Sequence, residues 1–360
     1  MYCICLLDME AEMILEGFCM AKKDIDWGNI GFEYRPTDYR YVCNFKNGKW
    51  EEGGLTTDPT VAMSECAGVL QSSQSCFEGL KAYTTKDGHI VCFRPDLNAE
   101  RMYDTAKRLE MPPFPKDKFV QAVHEVVKAN IDFVPPYGSG ATLYIRPYMF
   151  ASSPVIGVKP ADEYQFRIIV MPVGPYYKGG LTPNVVKISD FDRAAPHGTG
   201  HIKAGLNYAM SLHAGVMAHA EGFAENFYLD PATRTKIEEA GGANIIFVTK
   251  DNKLVVPKSP SILPSITRRS LVYVAEHYLN MQVEEREVLL AEVPDFVECG
   301  MCGTAAVISP VAKINDHGKE ICFPSGTEKA GPVITKLYET LTGIQMGSVE
   351  APEGWIHKID

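Results

Sequence analysis

Near the middle of the chain, residues 174–184 read GPYYKGGLTPN, a stretch dense in Gly and Pro that can continue neither a helix nor a central strand. On either side lie runs with the periods of regular structure, so each half has strands and helices of its own. Length points the same way. The chain has 360 residues, beyond the roughly 250–300 at which a single hydrophobic core stops growing. Two domains are expected, residues 23–173 (the smaller) and 185–360 (the larger), with 174–184 as the linker.

The first half mixes both periods. Aromatic-rich runs flank Asn47-Gly48 in TDYRYVCNFKNGKWEEG (37–53), and apolar runs flank Asp87-Gly88 in KAYTTKDGHIVCFRP (81–95); both predict hairpins. DLNAERMYDTAKRLEM (96–111) predicts a helix capped by Asp96, and KDKFVQAVHEVVKAN (116–130) an amphipathic one. ATLYIRPYMF (141–150) and YQFRIIVMPV (164–173) read as strands by their β-branched and aromatic content. On the first of these, alternation puts Thr142, Tyr144 and Arg146 on one face and Leu143 and Ile145 on the other, and that polar face needs a reason. The second half offers strands at 185–189, 226–229 and 244–256, and helices at 205–220, 265–279 and 330–341.

Charge and cysteine usage exclude several classes. Net charge is −10 and the basic residues are scattered, so there is no footprint for nucleic acid. The N-terminal MYCICLLDMEAEMILEGFCM has an apolar run broken by Asp8, Glu10 and Glu12 with no basic stretch before it, so residues 1–22 read as a flexible extension rather than a signal. No other apolar run approaches the roughly 20 residues a membrane helix needs. Ten cysteines at irregular spacing suggest a reducing cytoplasm rather than a disulfide framework.

The chemistry gathers at HGTGHIKAGLNY (197–208). After Lys203 the positions Leu206, Ala209, Met210, His213, Val216 and Met217 recur at helical spacing, predicting one face packed inward. Lys203 then stands at the helix start, where the macrodipole disfavours a cation, and an uncharged lysine can form a Schiff base with a carbonyl cofactor. Pyridoxal 5′-phosphate is the commonest such carbonyl, and it requires phosphate donors, a carboxylate for its ring nitrogen and a group on its ring oxygen. SILPSITRRS (261–270) enters a helix whose first N–H groups, at Ile266 and Thr267, are free to hold phosphate, and CGTAAV (302–307) adds the Thr304 hydroxyl. KIEEAGGANIIFV (236–248) supplies Glu238 or Glu239, between which spacing does not choose, and Tyr208 is in reach of the ring oxygen. Each motif alone also fits a plain turn or a solvated charge.

Together these stretches resemble a branched-chain amino acid aminotransferase of pyridoxal phosphate fold type IV, along nearly the whole chain. The matching stretches are IGFEYRPTDY (30–39), CFEGLKAY (76–83), FRPDLNAERM (93–102), LYIRPYMF (143–150), VGPYYKGG (173–180), GTGHIKAGLNYA (198–209), EEAGGANIIFV (238–248), ILPSITRRS (262–270) and CGTAAVISPV (302–311). The resemblance implies an α+β, two-domain fold of the D-amino acid aminotransferase type, with the cofactor at the domain interface. It implies reversible transfer of the amino group between leucine, isoleucine or valine and 2-oxoglutarate, through a Schiff base on Lys203. By the same resemblance Glu239 is the ring-nitrogen partner, Tyr208 the ring-oxygen tyrosine, and Arg101 a phosphate ligand beside Ile266, Thr267 and Thr304, with Arg193 near the cofactor. Phe32, Phe77, Tyr144 and Tyr176 are implied as an aromatic substrate wall, backbone at Gly242 and Ala305 as the α-carboxylate receiver, and Arg146 as the holder of glutamate's second carboxylate. Ile156 and Val158 match positions that reach a partner subunit's site, so a homodimer is implied. No metal is expected.

Three features depart from the pattern or stand outside it. Ser72 occupies a position where the family usually has a tyrosine in the pocket across the dimer, which implies a relaxed side-chain preference. Cys299 and Cys302 form a C-x-x-C that reads as structural, with a redox pair as the alternative. His197 and His201 flank the lysine loop and are read as packing or hydrogen-bonding groups, with lining of the site as the alternative. The rival readings are a D-amino acid aminotransferase or aminodeoxychorismate lyase of the same fold type, and a redox or metal-sensing module built on the cysteine pair.

Overall fold

The computed structural model describes residues 25–174 and 181–359. The expected extension and Tyr176 in the linker lie outside the described residues. The first half builds an antiparallel sheet from β1 (Arg40–Lys46), β2 (Lys49–Trp50), β3 (Gly54–Thr56), β4 (Ser75–Phe77), β5 (Leu80–Thr84), β6 (Ile90–Phe93), β7 (Thr142–Ala151) and β8 (Tyr164–Val173). Both hairpins form as expected. In the first, Asn47 and Gly48 take φ of 52° and 75°, the paired positive values that match a two-residue turn to strand twist. Helices α1 (Gly68–Ser72), α2 (Pro95–Arg108) and α3 (Lys116–Ala129) accompany the sheet. The apolar stripe of α3, Phe119, Val123, Val126 and Val127, is buried in one core with Leu143, Ile145, Phe166 and Ile168 of the sheet. Full burial of each such side chain contributes roughly 1.5–3 kcal/mol. Asp96 does not cap α2: Pro95 already opens the helix, Arg94 is the capping residue with a left-handed backbone, and Asp96 sits in the first turn, where a negative charge still favours the dipole.

The second half builds a mixed sheet from β9 (Asn184–Ile188), β10 (Asn226–Leu229), β11 (Ile237–Ala240), β12 (Asn244–Val248), β13 (Leu254–Pro257), β14 (Val283–Arg286), β15 (Glu298–Gly303), β16 (Val307–Asp316) and β17 (Lys319–Cys322). Its main path runs β11-β10-β9-β16-β15-β12-β13-β14. One face packs on α5 (Ile266–His277) and α6 (Pro332–Gln345), through Leu271, Val274, Ile334, Leu337 and Leu341. That core also takes in Tyr83, Val91 and Phe93 from β5 and β6, so apolar packing runs continuously between the halves. The last strand, β18 (Ile356–Lys358), leaves the second half and pairs with β6. These residues therefore extend the first sheet along the edge of β6.

Helix α4 (Gly205–Ala220) forms where expected but is turned the other way. Its buried residues are Asn207, Ala214 and Ala218, while Met210 is 55% exposed and Val216 67%. Asn207 fixes this rotation. Its amide donates to the carbonyls of Thr199 at 2.7 Å and Ile202 at 3.0 Å and accepts from the Thr199 hydroxyl at 2.7 Å. A polar residue satisfied three times outweighs an apolar stripe that stays outside.

Candidate active site

A cavity of about 520 Å³ is walled by both halves: Phe32, Phe77, Tyr144 and Arg146 from the first, Lys203, Tyr208, Glu239 and Thr304 from the second. Lys203 is placed by its backbone. Its N–H donates to Thr105 Oγ1 at 3.1 Å and its carbonyl accepts from the Phe77 N–H at 3.2 Å, while the next residue, Ala204, bridges to Cys76. The first half thus holds the lysine at the start of α4. One helical turn later, Tyr208 brings its hydroxyl 2.9 Å from Lys203 Nζ. The Phe77 ring lies 4.9 Å from that nitrogen and meets Tyr208 edge-on at 4.7 Å.

At another wall Glu239 is 2% exposed. Its carboxylate pairs with Arg193 Nη1 at 2.8 Å and accepts from Asn244 Nδ2 at 2.9 Å and the Leu263 N–H at 2.9 Å. Burial pushes this carboxyl up to about 7, against the pull of Arg193 and the Leu263 N–H. Alternation along β11 settles the two glutamates: Glu239 faces the cavity, and Glu238 turns to the other side, where the Ser259 hydroxyl donates to it at 2.7 Å.

Arg101 on α2 reaches the same cavity, clamped by Glu78 through Nε at 2.8 Å and Nη2 at 2.7 Å. Glu78 is fully buried and is held in turn by Asn98 at 2.7 Å. Arg101 Nη1 donates to the Pro264 carbonyl at 3.1 Å, which ties α2 to the entry of α5. Thr304 donates to the Gly79 carbonyl at 3.2 Å. Ile266 and Thr267 are buried at the first turn of α5 and border a smaller adjoining space that Thr304 also lines, so the main cavity ends at Ser265.

The polar strand face on β7 finds its reason here. Arg146 Nη2 donates to the Tyr144 hydroxyl at 3.0 Å, and its guanidinium lies 4.6 Å from the Phe77 ring centre. Phe32 meets Tyr144 edge-on at 5.1 Å, completing an aromatic wall. Gly242 and Ala305 line the same cavity.

Ile156 and Val158 lie in an exposed loop away from this cavity. Ser72 ends α1 with its hydroxyl on the Gly68 carbonyl at 3.0 Å, likewise outside. His197 and His201 are exposed and do not line this cavity; His201 borders a neighbouring one that Arg101 also lines. Cys299 and Cys302 sit three residues apart on β15 and so face opposite sides, Cys299 in the core around Phe247 and Cys302 with Ile308. Burial pushes the Cys302 thiol up to about 12 and Cys299 also well above its usual range, so neither is a thiolate and the pair cannot close. Sequence reasoning gave no role to Glu78, Asn244 or Glu225, which carry polar groups at or behind the cavity wall. Glu78 in CFEGLKAY and Asn244 in EEAGGANIIFV stood in stretches already singled out for resemblance, and Glu225 did not.

A family model described as Amino-transferase class IV matches residues 75–314. The chain is 54% identical over 343 residues to the branched-chain-amino-acid aminotransferase of Haemophilus influenzae, covering 94% of this chain and 100% of that one. It is 44% identical to the Helicobacter pylori enzyme of the same name, covering 94% of this chain and 98% of the relative. The crystal structure of the Escherichia coli branched-chain amino acid aminotransferase superposes with a TM-score of 0.76 at 27% identity, over 90% of this chain and 100% of that chain. The T.th. branched-chain amino acid aminotransferase, solved with pyridoxamine 5′-phosphate, gives 0.77 at 25% identity over 91% of this chain and 100% of that chain. The two-sheet α+β architecture expected from sequence is the one these structures share. With a family model across two thirds of its length and whole-length relatives well above 30% identity, the chain belongs to the class IV aminotransferases, in the branched-chain amino acid aminotransferase family.

Proposed function

We propose that this protein transfers the amino group reversibly between leucine, isoleucine or valine and 2-oxoglutarate, using pyridoxal 5′-phosphate bound in the 520 Å³ cavity. The observation that carries the reading is Lys203 Nζ at 2.9 Å from the Tyr208 hydroxyl, in a cavity that also contains a buried carboxylate. The residues present fit the cofactor. Two polar atoms buried at the wall, Arg193 Nε and Asn244 Oδ1, have no partner among the described residues, as expected of a site completed by a bound group. Arg101, Thr304 and the first N–H groups of α5, at Ile266 and Thr267, would hold the phosphate. Glu239 would hold a proton at the ring nitrogen, with Arg193 keeping the carboxylate in place, and Tyr208 would serve the ring oxygen.

When bound, the cofactor supplies an aldehyde carbon that takes up the amine and a conjugated ring that spreads the electron pair released at the substrate Cα. The protein's own part is proton transfer and orientation. Lys203 Nζ accepts the Cα proton and is the donor when that proton is handed back, and the Tyr208 hydroxyl aims it. Phe32, Phe77, Tyr144 and Tyr176 would take the aliphatic side chain, and backbone N–H groups near Gly242 and Ala305 the α-carboxylate. Arg146 would accept the second carboxylate of glutamate or 2-oxoglutarate with paired hydrogen bonds, which lets one pocket serve both substrates.

The same reading takes residues 23–173 and 185–360 as two domains joined by 174–184, the cofactor lying between them. It also takes the molecule as a homodimer in the cytoplasm. The outward apolar side of α4 and the fully exposed Val158 support self-association. The seven described cysteines are all free, in keeping with a reducing compartment. Among the described residues no helix is long and apolar enough to cross a membrane.

The test is the visible absorbance of the purified protein with pyridoxal 5′-phosphate, before and after L-leucine is added without any oxo acid. The expected result is a band that disappears with one equivalent of 4-methyl-2-oxopentanoate formed, and that D-alanine leaves intact. Lys203→Ala should form no such band and have no turnover. A band that ignores leucine would keep the cofactor and reject the substrate.

A further inference from the structure

Lys81, on β5, is 6% exposed, and among the described residues its one hydrogen bond is from Nζ to the Ala305 carbonyl at 2.7 Å. Among the described residues nothing acidic pairs with it; burial lowers the ammonium to about 8. An amine so enclosed, on a residue type that is almost never fully buried unless paired, calls for a use. Ala305 lies in the turn between β15 and β16, and that turn is held from the first half at two points, by Lys81 on Ala305 and by the Gly79 carbonyl on Thr304. It closes on Val307, whose φ of 63° puts a β-branched residue in the left-handed region, a conformation that persists only where surroundings impose it.

Placement gives the turn two sides. Ala305 and Ala306 line the main cavity and also a small space of about 70 Å³ behind the turn, whereas Lys81 lines that space and the adjoining one bordered by Ile266 and Thr267 but not the main cavity. Gln345, whose buried Oε1 has no partner among the described residues, faces the same small space. A trans peptide directs its carbonyl and its following N–H to opposite sides. With the Ala305 carbonyl drawn back to Lys81, the Ala306 N–H is turned toward the main cavity, and a cation on the carbonyl strengthens that N–H as a donor.

We propose that Lys81 is a positioning residue for the substrate α-carboxylate: from behind the turn it fixes and polarises the Ala305–Ala306 peptide, so that the N–H facing the cavity is ready to receive a carboxylate. The inference rests on the transaminase reading. It differs from the role given to Arg146, because every amino acid and oxo acid substrate presents an α-carboxylate and only glutamate and 2-oxoglutarate present a second.

The test uses the holoenzyme, Lys81→Met and Lys81→Gln. Titration with 4-methylpentanoate, which has the side chain and carboxylate of leucine but no amine, reads carboxylate binding from the visible band without turnover. The expected result is a Kd raised ~10-fold or more in Lys81→Met, because the Ala306 N–H is no longer held and polarised for the carboxylate, with the cofactor band itself unchanged. KM for leucine and for glutamate should rise by the same factor while kcat falls by less. Lys81→Gln, which keeps a donor and loses the charge, should be intermediate, and it provides the reading if the methionine variant does not fold. A Kd within twofold of wild type in both variants overturns the proposal. So does an effect confined to glutamate, which would make Lys81 a reader of the second carboxylate, or a band lost from both variants, which would assign it to the cofactor. A wild-type holoenzyme that never converts leucine would instead reject the transaminase reading on which the proposal stands.

Discussion

Lys203 and Glu239 have their properties from opposite sources. Lys203 is positioned by backbone hydrogen bonds to the other half of the molecule, whereas Glu239 is defined by what burial does to a carboxyl and what Arg193 undoes. The glutamate makes a pH prediction with a definite sign. Its folded value, about 7, lies above that of the unfolded chain, so the folded apoprotein holds a proton that the unfolded chain has lost. Its contribution to stability is fully present below the ordinary carboxylate value of about 4.3 and is lost as pH rises to about 7. Thermal melts of the apoprotein from pH 5 to 7.5 should therefore decline less steeply in Glu239→Gln, and the same variant should retain cofactor less well and turn over more slowly. At this scale the sequence is informative where a side chain's partner is near in the chain or lies in a recognisable stretch, as with Lys203 and Tyr208. It is silent on Glu78, whose partners Asn98 and Arg101 stand on α2, and on Lys81, whose carbonyl partner is 224 residues away. Nothing in the local pattern announces such a contact.

Helix α4 shows what periodicity can and cannot decide. Its extent was legible, since the apolar spacing gave residues 205–220 and the helix spans Gly205–Ala220, but its orientation was not. The spacing marks a stripe that wants burial; it does not say against what, and a second subunit would serve as well as a core. Asn207 makes the choice, and its replacement should be felt. Asn207→Ala leaves the buried Ile202 carbonyl and the Thr199 pair without their partner, at a cost of about 1–3 kcal/mol. Urea unfolding of the apoprotein should register that loss, together with a fall in kcat, because Lys203 precedes the helix and Tyr208 stands in its first turn. The strands of the second sheet tell a related story. β12 and β13 fall within the expected 244–256, while β14 to β17 are not legible, because short, fully buried or edge strands carry no alternation to detect. The spacing of the cysteine pair also suits a redox loop, the alternative to its structural reading, but on a strand it separates the sulfurs to two different cores.

For the whole molecule, the proposed homodimer predicts that charge on the outward face of α4 will break the assembly. Leu212 and Val216 are both 67% exposed, so Leu212→Glu with Val216→Glu should leave the fold intact but sediment as a monomer; an unchanged mass would place the contact elsewhere. Each half has a sheet of its own, but how the halves join was not legible. The sequence marks one passage between them, and the return of β18 to β6 makes a second. Around that return the apolar core that takes in Tyr83, Val91 and Phe93 runs unbroken into the second half. The two walls of the cavity are thus parts of one packed body, and the aromatic wall and the lysine keep their spacing because moving one against the other would open apolar surface to water.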